Sequence, residues 1–188
     1  MGRDKALIPF NGATLIKHVL QRLSPLTDDL IIISPHGDEI NSIGYTIYPD
    51  LVPDKGPLMG LYTGLHYAKH GIVAVVACDM PFVNPALIKE EVLSLDANHC
   101  DVVIPIVNGK AEPLHAVYRR ESCLDAIERG LKAGMKRLIE WHPMVKVCEM
   151  GEAEIKIYDP RGRAFFNINT PDDLLAAEAI LKMDDASS

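Results

Sequence analysis

The sequence has little that would support a nucleic-acid or membrane role. Aromatic residues make up 6% of its 188 positions, too few for a surface on which successive bases stack. Cations are in the minority: 19 Lys and Arg against 26 Asp and Glu leave a formal charge of -7, whereas phosphate-backbone binding is driven by clustered Lys and Arg. No apolar run reaches the roughly eighteen residues of a membrane span, and the start Met1-Gly2-Arg3-Asp4-Lys5 has no signal-peptide apolar core. Ala6 stands where a myristoylation motif has Ser or Thr. Nucleic acid and membrane are thereby excluded as partners, and a cytoplasmic protein is expected. The four cysteines lie 22 to 25 residues apart with no C-x-x-C pair, so neither a zinc site nor a redox motif is indicated and reduced thiols are expected. No H-E-x-x-H motif occurs among the scattered histidines, and G-x-S-x-G, Walker A and complete G-x-G-x-x-G motifs are absent.

What is present is the balance of a soluble globular domain, with 48% hydrophobic and 24% charged residues. The length suits one core, expected over 1–183 with a polar tail at 184–188. Thr14 to Leu23 has helical apolar spacing, and Leu30 to Ile33 reads as a buried strand. A weaker strand around Tyr45 to Tyr48 precedes a helix opened by Pro57 and running to about His70. Ile72 to Ala77 is apolar at every position, which predicts a strand covered on both faces of a parallel sheet. Asn84-Pro85 starts a helix ending near Leu95, Val102 to Val107 is a strand, and Asn108-Gly109 is a tight turn leading back toward Leu114 to Tyr118 as an antiparallel element. Helices follow at Ser122 to Lys132 and Lys136 to His142, strand-like stretches at Val145 to Cys148 and Ala153 to Tyr158, and a last helix from Thr170-Pro171-Asp172-Asp173 to about Lys182. Alternating strands and helices predict a layered α/β fold with a mostly parallel sheet.

Four stretches could carry chemistry. In Val75-Val76-Ala77-Cys78-Asp79-Met80-Pro81-Phe82 an apolar strand ends in one carboxylate, at the strand end where α/β sheets gather ligands. A lone carboxylate suits Mg²⁺, which takes one or two of them and completes its shell with water and phosphate oxygens; a loop Asp bonded to backbone N–H groups is the competing reading. Gly2-Arg3-Asp4-Lys5 resembles the exit of a phosphate loop, or a solvated terminus. Pro49-Asp50 followed by Gly56-Pro57-Leu58-x-Gly60 offers a helix start for an anion or a base edge, or a plain helix entry; Asp50 could accept from guanine N1–H and the N2 amine. Asn167-Ile168-Asn169-Thr170-Pro171 places two amides on one side of an extended segment.

In this order, Met1-Gly2-x-Asp4-Lys5, Asp50, Gly56-Pro57-Leu58-x-Gly60, Cys78-Asp79-Met80-Pro81 and Asn167-Ile168-Asn169-Thr170-Pro171 resemble the molybdenum cofactor guanylyltransferase family over nearly the whole chain, and Glu112 to Tyr118 looks like that family's substrate-side segment. The resemblance implies a three-layer, Rossmann-like nucleotidyltransferase fold and transfer of GMP from GTP to a molybdopterin-type cofactor with release of pyrophosphate. It implies that Arg3, Lys5, Ser34, Asp50, Gly56, Pro57, Leu58, Gly60 and Asp79 meet the nucleotide, with Lys5 on the triphosphate and Asp79 holding Mg²⁺. It places Leu114, His115, Asn167 and Asn169 on the pterin side, and suggests molybdenum-insertion proteins or molybdoenzyme chaperones as protein partners. Of these, Ser34 aligns loosely.

The family's motif begins upstream of the Met-Gly, with an apolar strand and a Leu-Ala-Gly-Gly-x-Ser-x-Arg turn. Three or four buried side chains at about 1.5–3 kcal/mol each compare with a whole domain's stability of about 5–15 kcal/mol, so the functional protein is expected to be longer than this sequence. Two rivals keep the fold, a cytidylyltransferase for the same cofactor and a sugar-phosphate nucleotidyltransferase. A third, of another class, is a non-catalytic adaptor that binds nucleotide or cofactor.

Overall fold

The computed structural model describes residues 5–34 and 44–185. The expectations placed on Gly2, Arg3 and Asp4 lie outside the described residues.

A short 3-10 turn, Lys5–Leu7, leads to the ribbon β1 (Pro9–Phe10) and β2 (Ala13–Thr14) and then to helix α1 (Leu15–Leu23). The helix buries Leu15, Ile16, Val19 and Leu20 along one stripe, as the spacing predicts. Strands β3 (Ile31–Ile33) and β4 (Thr46–Tyr48) pair in parallel. Helix α2 (Pro57–Tyr67) and strand β5 (Ile72–Val76) follow, then α3 (Pro85–Ala97), β6 (Val102–Val107), β7 (Lys110–Ala111) and β8 (His115–Arg119). Helix α4 (Arg120–Lys132), strand β9 (Val147–Met150), α5 (Glu152–Tyr158) and α6 (Pro171–Asp185) complete the chain.

The larger sheet has the order β5-β8-β6-β7, with β9 on β6. Since β8 is antiparallel to both β5 and β6, β7 is antiparallel to β6, and β9 is parallel to β6, strands β5, β6 and β9 share one direction and β7 and β8 run against them. The reversal begins at Asn108 (φ 50) and Gly109 (φ 71), the positive-φ pair of a tight hairpin turn, which sets Val107 opposite Lys110.

Successive side chains on a strand point to opposite faces, and the core divides accordingly. Val102, Ile104, Ala116 and Tyr118 pack with Leu58, Leu61 and Leu65 of α2 and with Ile127 of α4. Val103 and Val117 pack on the other face with Leu87 and Leu95 of α3 and Ile155 of α5. These are the three layers of an α/β sandwich. No helix among the described residues is long and apolar enough to cross a membrane.

Three local expectations need correction. Residues 153–158 are helical, not extended: Glu154 accepts from the Gly151 N–H at 3.0 Å while its own N–H donates back to the Gly151 carbonyl, a capping box that starts α5. Residues 136–142 do not form a helix, because the Glu140 carboxylate takes the Lys136 and Arg137 N–H groups at 2.9 and 3.0 Å. Of the cysteines, Cys100 and Cys148 are joined in a disulfide rather than reduced. β9 carries Cys148 opposite Val103, three residues after Cys100, so adjacent strands bring the two sulfurs together.

β5 differs from its expectation in a further way. The strand is entirely apolar, yet none of its five residues is buried and Ala74 is exposed, whereas β8 buries four of its five. Among the described residues, β5 pairs only with β8 and β3 only with β4, so each has one edge without a strand against it.

Candidate functional site

The end of β5 is pinned to its neighbour, the Ala77 N–H donating to the Leu114 carbonyl at 2.8 Å. The chain then turns, with the Met80 N–H on the Ala77 carbonyl and the Val83 N–H on the Met80 carbonyl. Met80, Phe82 and Val83 are all buried, which anchors the turn from below and leaves Asp79 at its crest with 18% of its side chain exposed.

A second segment is tied to the same crest. The Ile168 N–H donates to the Asp79 carbonyl at 2.9 Å, and the Ile168 side chain is fully buried beside Phe10, Leu15 and Phe82. With Ile168 turned inward, its neighbours Asn167 and Asn169 are carried to the opposite side, and both line a small cavity with Asp79. The sequence predicts a helix start at Thr170, and the structure has it: the Asp173 carboxylate accepts the Asn169 and Thr170 N–H groups, and the Asp173 N–H returns to the Thr170 hydroxyl. The Thr170 hydroxyl, followed by those two N–H groups, holds the Asp173 carboxyl below its ordinary range.

Lys5 approaches from the chain start. Ala6 is buried against Ile16, Leu20 and Ile32, so the turn is fixed and the ammonium is aimed back at the crest. Its Nζ donates to Asn169 Oδ1 at 2.7 Å and lies 3.8 Å from Asp79 Oδ2. Residues 5, 79 and 169 are thus one contact group.

Two cavities meet at Asp79. The larger, about 1100 Å³, is lined at its polar end by Asp50, Asp54, Gly56, Pro57, Gly60 and Asp79. The smaller, about 290 Å³, is lined by Asp79, Met80, Glu112, Leu114, Asn167 and Asn169 among others. Ala77, Asp79 and Leu114 line both. Burial raises the Asp50 carboxyl above its ordinary range, and burial does the same for Glu112 against the opposing pull of Lys110. Among the described residues no three His, Cys, Asp or Glu side chains converge on a metal position; Asp79 is a single carboxylate between two cavities, the donor set that suits Mg²⁺ better than a metal needing an all-protein cage.

Not every sequence candidate reaches the cavities. Leu58 is fully buried in the core and its N–H donates to the Lys136 carbonyl, so it shapes the α2 entry from beneath. Ser34 is buried after β3, its N–H on the Tyr48 carbonyl, and does not line either cavity. His115 is corrected: the register that sets it opposite Val76 turns its ring into the interior, 0% exposed, 4.4 Å from Phe165 and 3.6 Å from Glu91. Glu91 was missed by sequence reasoning, although its spacing gave a signal. Leu87, Glu91 and Leu95 recur every four residues along α3, and all three are fully buried.

A family model described as MobA-like NTP transferase domain matches residues 1–147. The probable molybdenum cofactor guanylyltransferase of Pelotomaculum thermopropionicum is 33% identical over 180 residues, 96% of this chain and 86% of that protein. The molybdenum cofactor guanylyltransferase of Desulfosudis oleivorans is 33% identical over 183 residues, 96% of this chain and 89% of that protein. Among solved structures, the molybdopterin-guanine dinucleotide biosynthesis protein A of Archaeoglobus fulgidus superposes with a TM-score of 0.83 at 27% identity, covering 97% of this chain and 92% of that one. A 2-C-methyl-D-erythritol 4-phosphate cytidylyltransferase from Thermus thermophilus, at 17% identity and TM-score 0.72 over 95% of this chain and 94% of that one, shares the fold.

Proposed function

Since the chain belongs to the MobA-like NTP transferase domain family and is a nucleotidyltransferase, we propose that it transfers GMP from GTP to the phosphate of a molybdopterin-type cofactor. The observation that carries this is the position of Asp79 where two cavities meet, with Lys5 against it. A transfer between two bound substrates needs one shared point at which donor and acceptor phosphates come together, and this crest is that point.

In the reaction, an acceptor phosphate oxygen bonds to the α-phosphorus of GTP as the bond from that phosphorus to the bridging oxygen breaks, and pyrophosphate leaves with the electron pair. The protein's task is positioning and charge stabilisation. Asp50 accepts from guanine N1–H and the N2 amine at the far end of the larger cavity, with Gly56, Pro57 and Gly60 forming the wall. Lys5 exchanges its bond to Asn169 for the triphosphate, an ammonium serving as a compact charge there. Asn167, Asn169 and the Leu114 backbone turn face the acceptor. Asp79 would hold Mg²⁺, which when bound offsets charge on the phosphate oxygens. Molybdenum-insertion proteins or molybdoenzyme chaperones are the protein partners that this role would require, at either end of the reaction.

Calorimetric titration with Mg-GTP and Mg-CTP tests the nucleotide. Tighter binding of GTP by about tenfold or more is expected, and a preference for CTP would transfer the assignment to a cytidylyltransferase. Pyrophosphate release that Asp79→Ala abolishes is also expected; nucleotide binding with no release would make the chain an adaptor.

A further inference from the structure

Thr63 is fully buried in the middle of helix α2, and it lines neither cavity. A hydroxyl with no water around it must be paired, and this one is paired twice. Its proton goes to the Met59 carbonyl one turn back, at 2.8 Å, and its oxygen accepts the Leu51 N–H at 3.1 Å. The first bond does little for the helix, since back-bonding of this kind is slightly destabilising there. Its effect is on polarity. With the one hydroxyl proton committed to Met59, the oxygen can face the loop only as an acceptor.

The second bond reaches a segment with little else to hold it. Residues 51–57 are all exposed, so side-chain burial does not fix the path from β4 to α2. Upstream, the Ser34 N–H ties down the Tyr48 carbonyl at 3.1 Å, and only Pro49 and Asp50 lie between that tie and the Leu51 N–H. Asp50 is therefore strung between two anchors. One side of α2 receives both residues of the loop, because Gly60 and Thr63 are three apart and share a helix face. Asp50 Oδ1 stands 3.6 Å from the place of a Cβ on Gly60, and the Leu51 amide stands on Thr63.

We propose that Thr63 is the positioning residue that sets Asp50 for a 2-amino-6-oxopurine, and so determines how strictly the larger cavity selects its base. The inference rests on the reading above that Asp50 accepts from guanine N1–H and the N2 amine. Those two bonds need both carboxylate oxygens aligned with the edge of the base, and a small displacement of the Asp50 backbone gives up one of them. Thr63 never touches the nucleotide. It acts through the Leu51 amide, one residue beyond the carboxylate it aims.

Calorimetric titration with Mg-GTP and Mg-ITP tests it, inosine having the N1–H but no N2 amine. The parent should hold GTP about tenfold or more tighter than ITP. Thr63→Val, which keeps the shape and removes the hydroxyl, should bring that ratio to about threefold or less, and Thr63→Ser should return it to within about twofold of the parent. Mg-tripolyphosphate has no base, so its Kd should be the same in all three proteins. Adding Thr63→Val to Asp50→Asn should cost the ratio nothing more than Asp50→Asn alone, because no aligned carboxylate is left to aim. No GTP preference in the parent, or one that Asp50→Asn leaves intact, takes down the guanine reading and this inference together. A ratio that Asp50→Asn collapses and Thr63→Val does not overturns the positioning role alone. An equal loss of tripolyphosphate affinity, or a ratio that Thr63→Ser fails to restore, overturns it as well. Should Thr63→Val not fold, Thr63→Ala removes the same hydroxyl and is held to the same outcomes.

Discussion

His115 Nδ1 lies 3.6 Å from Glu91 Oε1, both side chains are wholly removed from solvent, and neither side chain has a hydrogen-bond partner among the described residues. Burial lowers the imidazole to about 4 and raises the carboxyl well above its ordinary range, so burial favours the uncharged form of each partner. Removing one partner of a neutral pair leaves no buried charge behind, which makes its energetics a matter of pH.

The signs of the two shifts oppose each other. A raised carboxyl disfavours the fold as pH climbs above the unfolded value of 4.5, and a lowered imidazole disfavours it as pH falls below 6.5 toward about 4. Between 4.5 and 6.5 the two slopes oppose each other, and above 6.5 only the Glu91 slope remains, at up to about 1.4 kcal/mol per pH unit until the carboxyl ionises in the fold. In urea unfolding measured from pH 5 to 9 the imidazole's contribution is common to both proteins and cancels, so the stability of Glu91→Gln relative to the parent should rise with pH from the start of that range, at up to about 1.4 kcal/mol per pH unit until Glu91 ionises in the fold. An unchanged difference across the alkaline range would mean that Glu91 is ionised in the fold.

Lys5→Ala removes the ammonium from Asp79 and Asn169. We expect kcat/KM for pyrophosphate release to fall by about 10- to 100-fold, or 1.4–2.7 kcal/mol. Stability should change by no more than about 0.5 kcal/mol, as the side chain is 42% exposed. Lys5→Arg should recover little, because a planar fork does not replace a compact charge. Steady-state kinetics and thermal unfolding on the same samples separate the two effects.

The two cavity-wall glycines should respond differently to alanine. Gly56 has φ +81 at the entry of α2, and an added Cβ would meet Lys136 at an ordinary 3.5 Å, so Gly56→Ala is opposed by backbone conformation alone, about 1–2 kcal/mol. Gly60 sits within α2 without a positive φ, and its Cβ would stand 3.6 Å from Asp50 Oδ1. Gly60→Ala should therefore leave stability unchanged or raise it by up to about 1 kcal/mol, while crowding Asp50 and raising KM for the nucleotide.

The disulfide closes a separation of 48 residues, for which chain entropy gives about 4 kcal/mol. Reduction, or Cys100→Ser, should lower the unfolding free energy by up to that amount. Because both sulfurs lie on the face opposite α2 and away from the crest, KM for the nucleotide should not move. A change in KM without a change in stability would contradict this placement.

Much of this was legible in the residues. Val102 to Val107 was bounded correctly because an unbroken apolar run between turn signals has few alternatives, and Asn84-Pro85 marked its helix because the Asn84 side chain does cap it, accepting from the Ala86 and Leu87 N–H groups. Lys5, Asp50, Asp79 and Asn169 each had a local reading as well, and could be singled out because their motifs occur together in the order of one family. The α5 helix was hidden because Ala153, Ile155 and Ile157 alternate like a strand, and one Glu154 side chain decides otherwise. His115 was misplaced because the face on which a strand residue falls depends on register, and register follows from β5 and β8 pairing, which no local pattern announces. The Cys100–Cys148 bond was invisible for the same reason, since spacing alone assigns no partners.

The link from the Ile168 N–H to the Asp79 carbonyl ties the segment from Ile168 through α6 to the candidate site. Any shift of the closing helix tugs on that amide and so on the crest carboxylate. Damage far out on α6, where nothing touches a substrate, would first register as slower turnover and only later as loss of the fold.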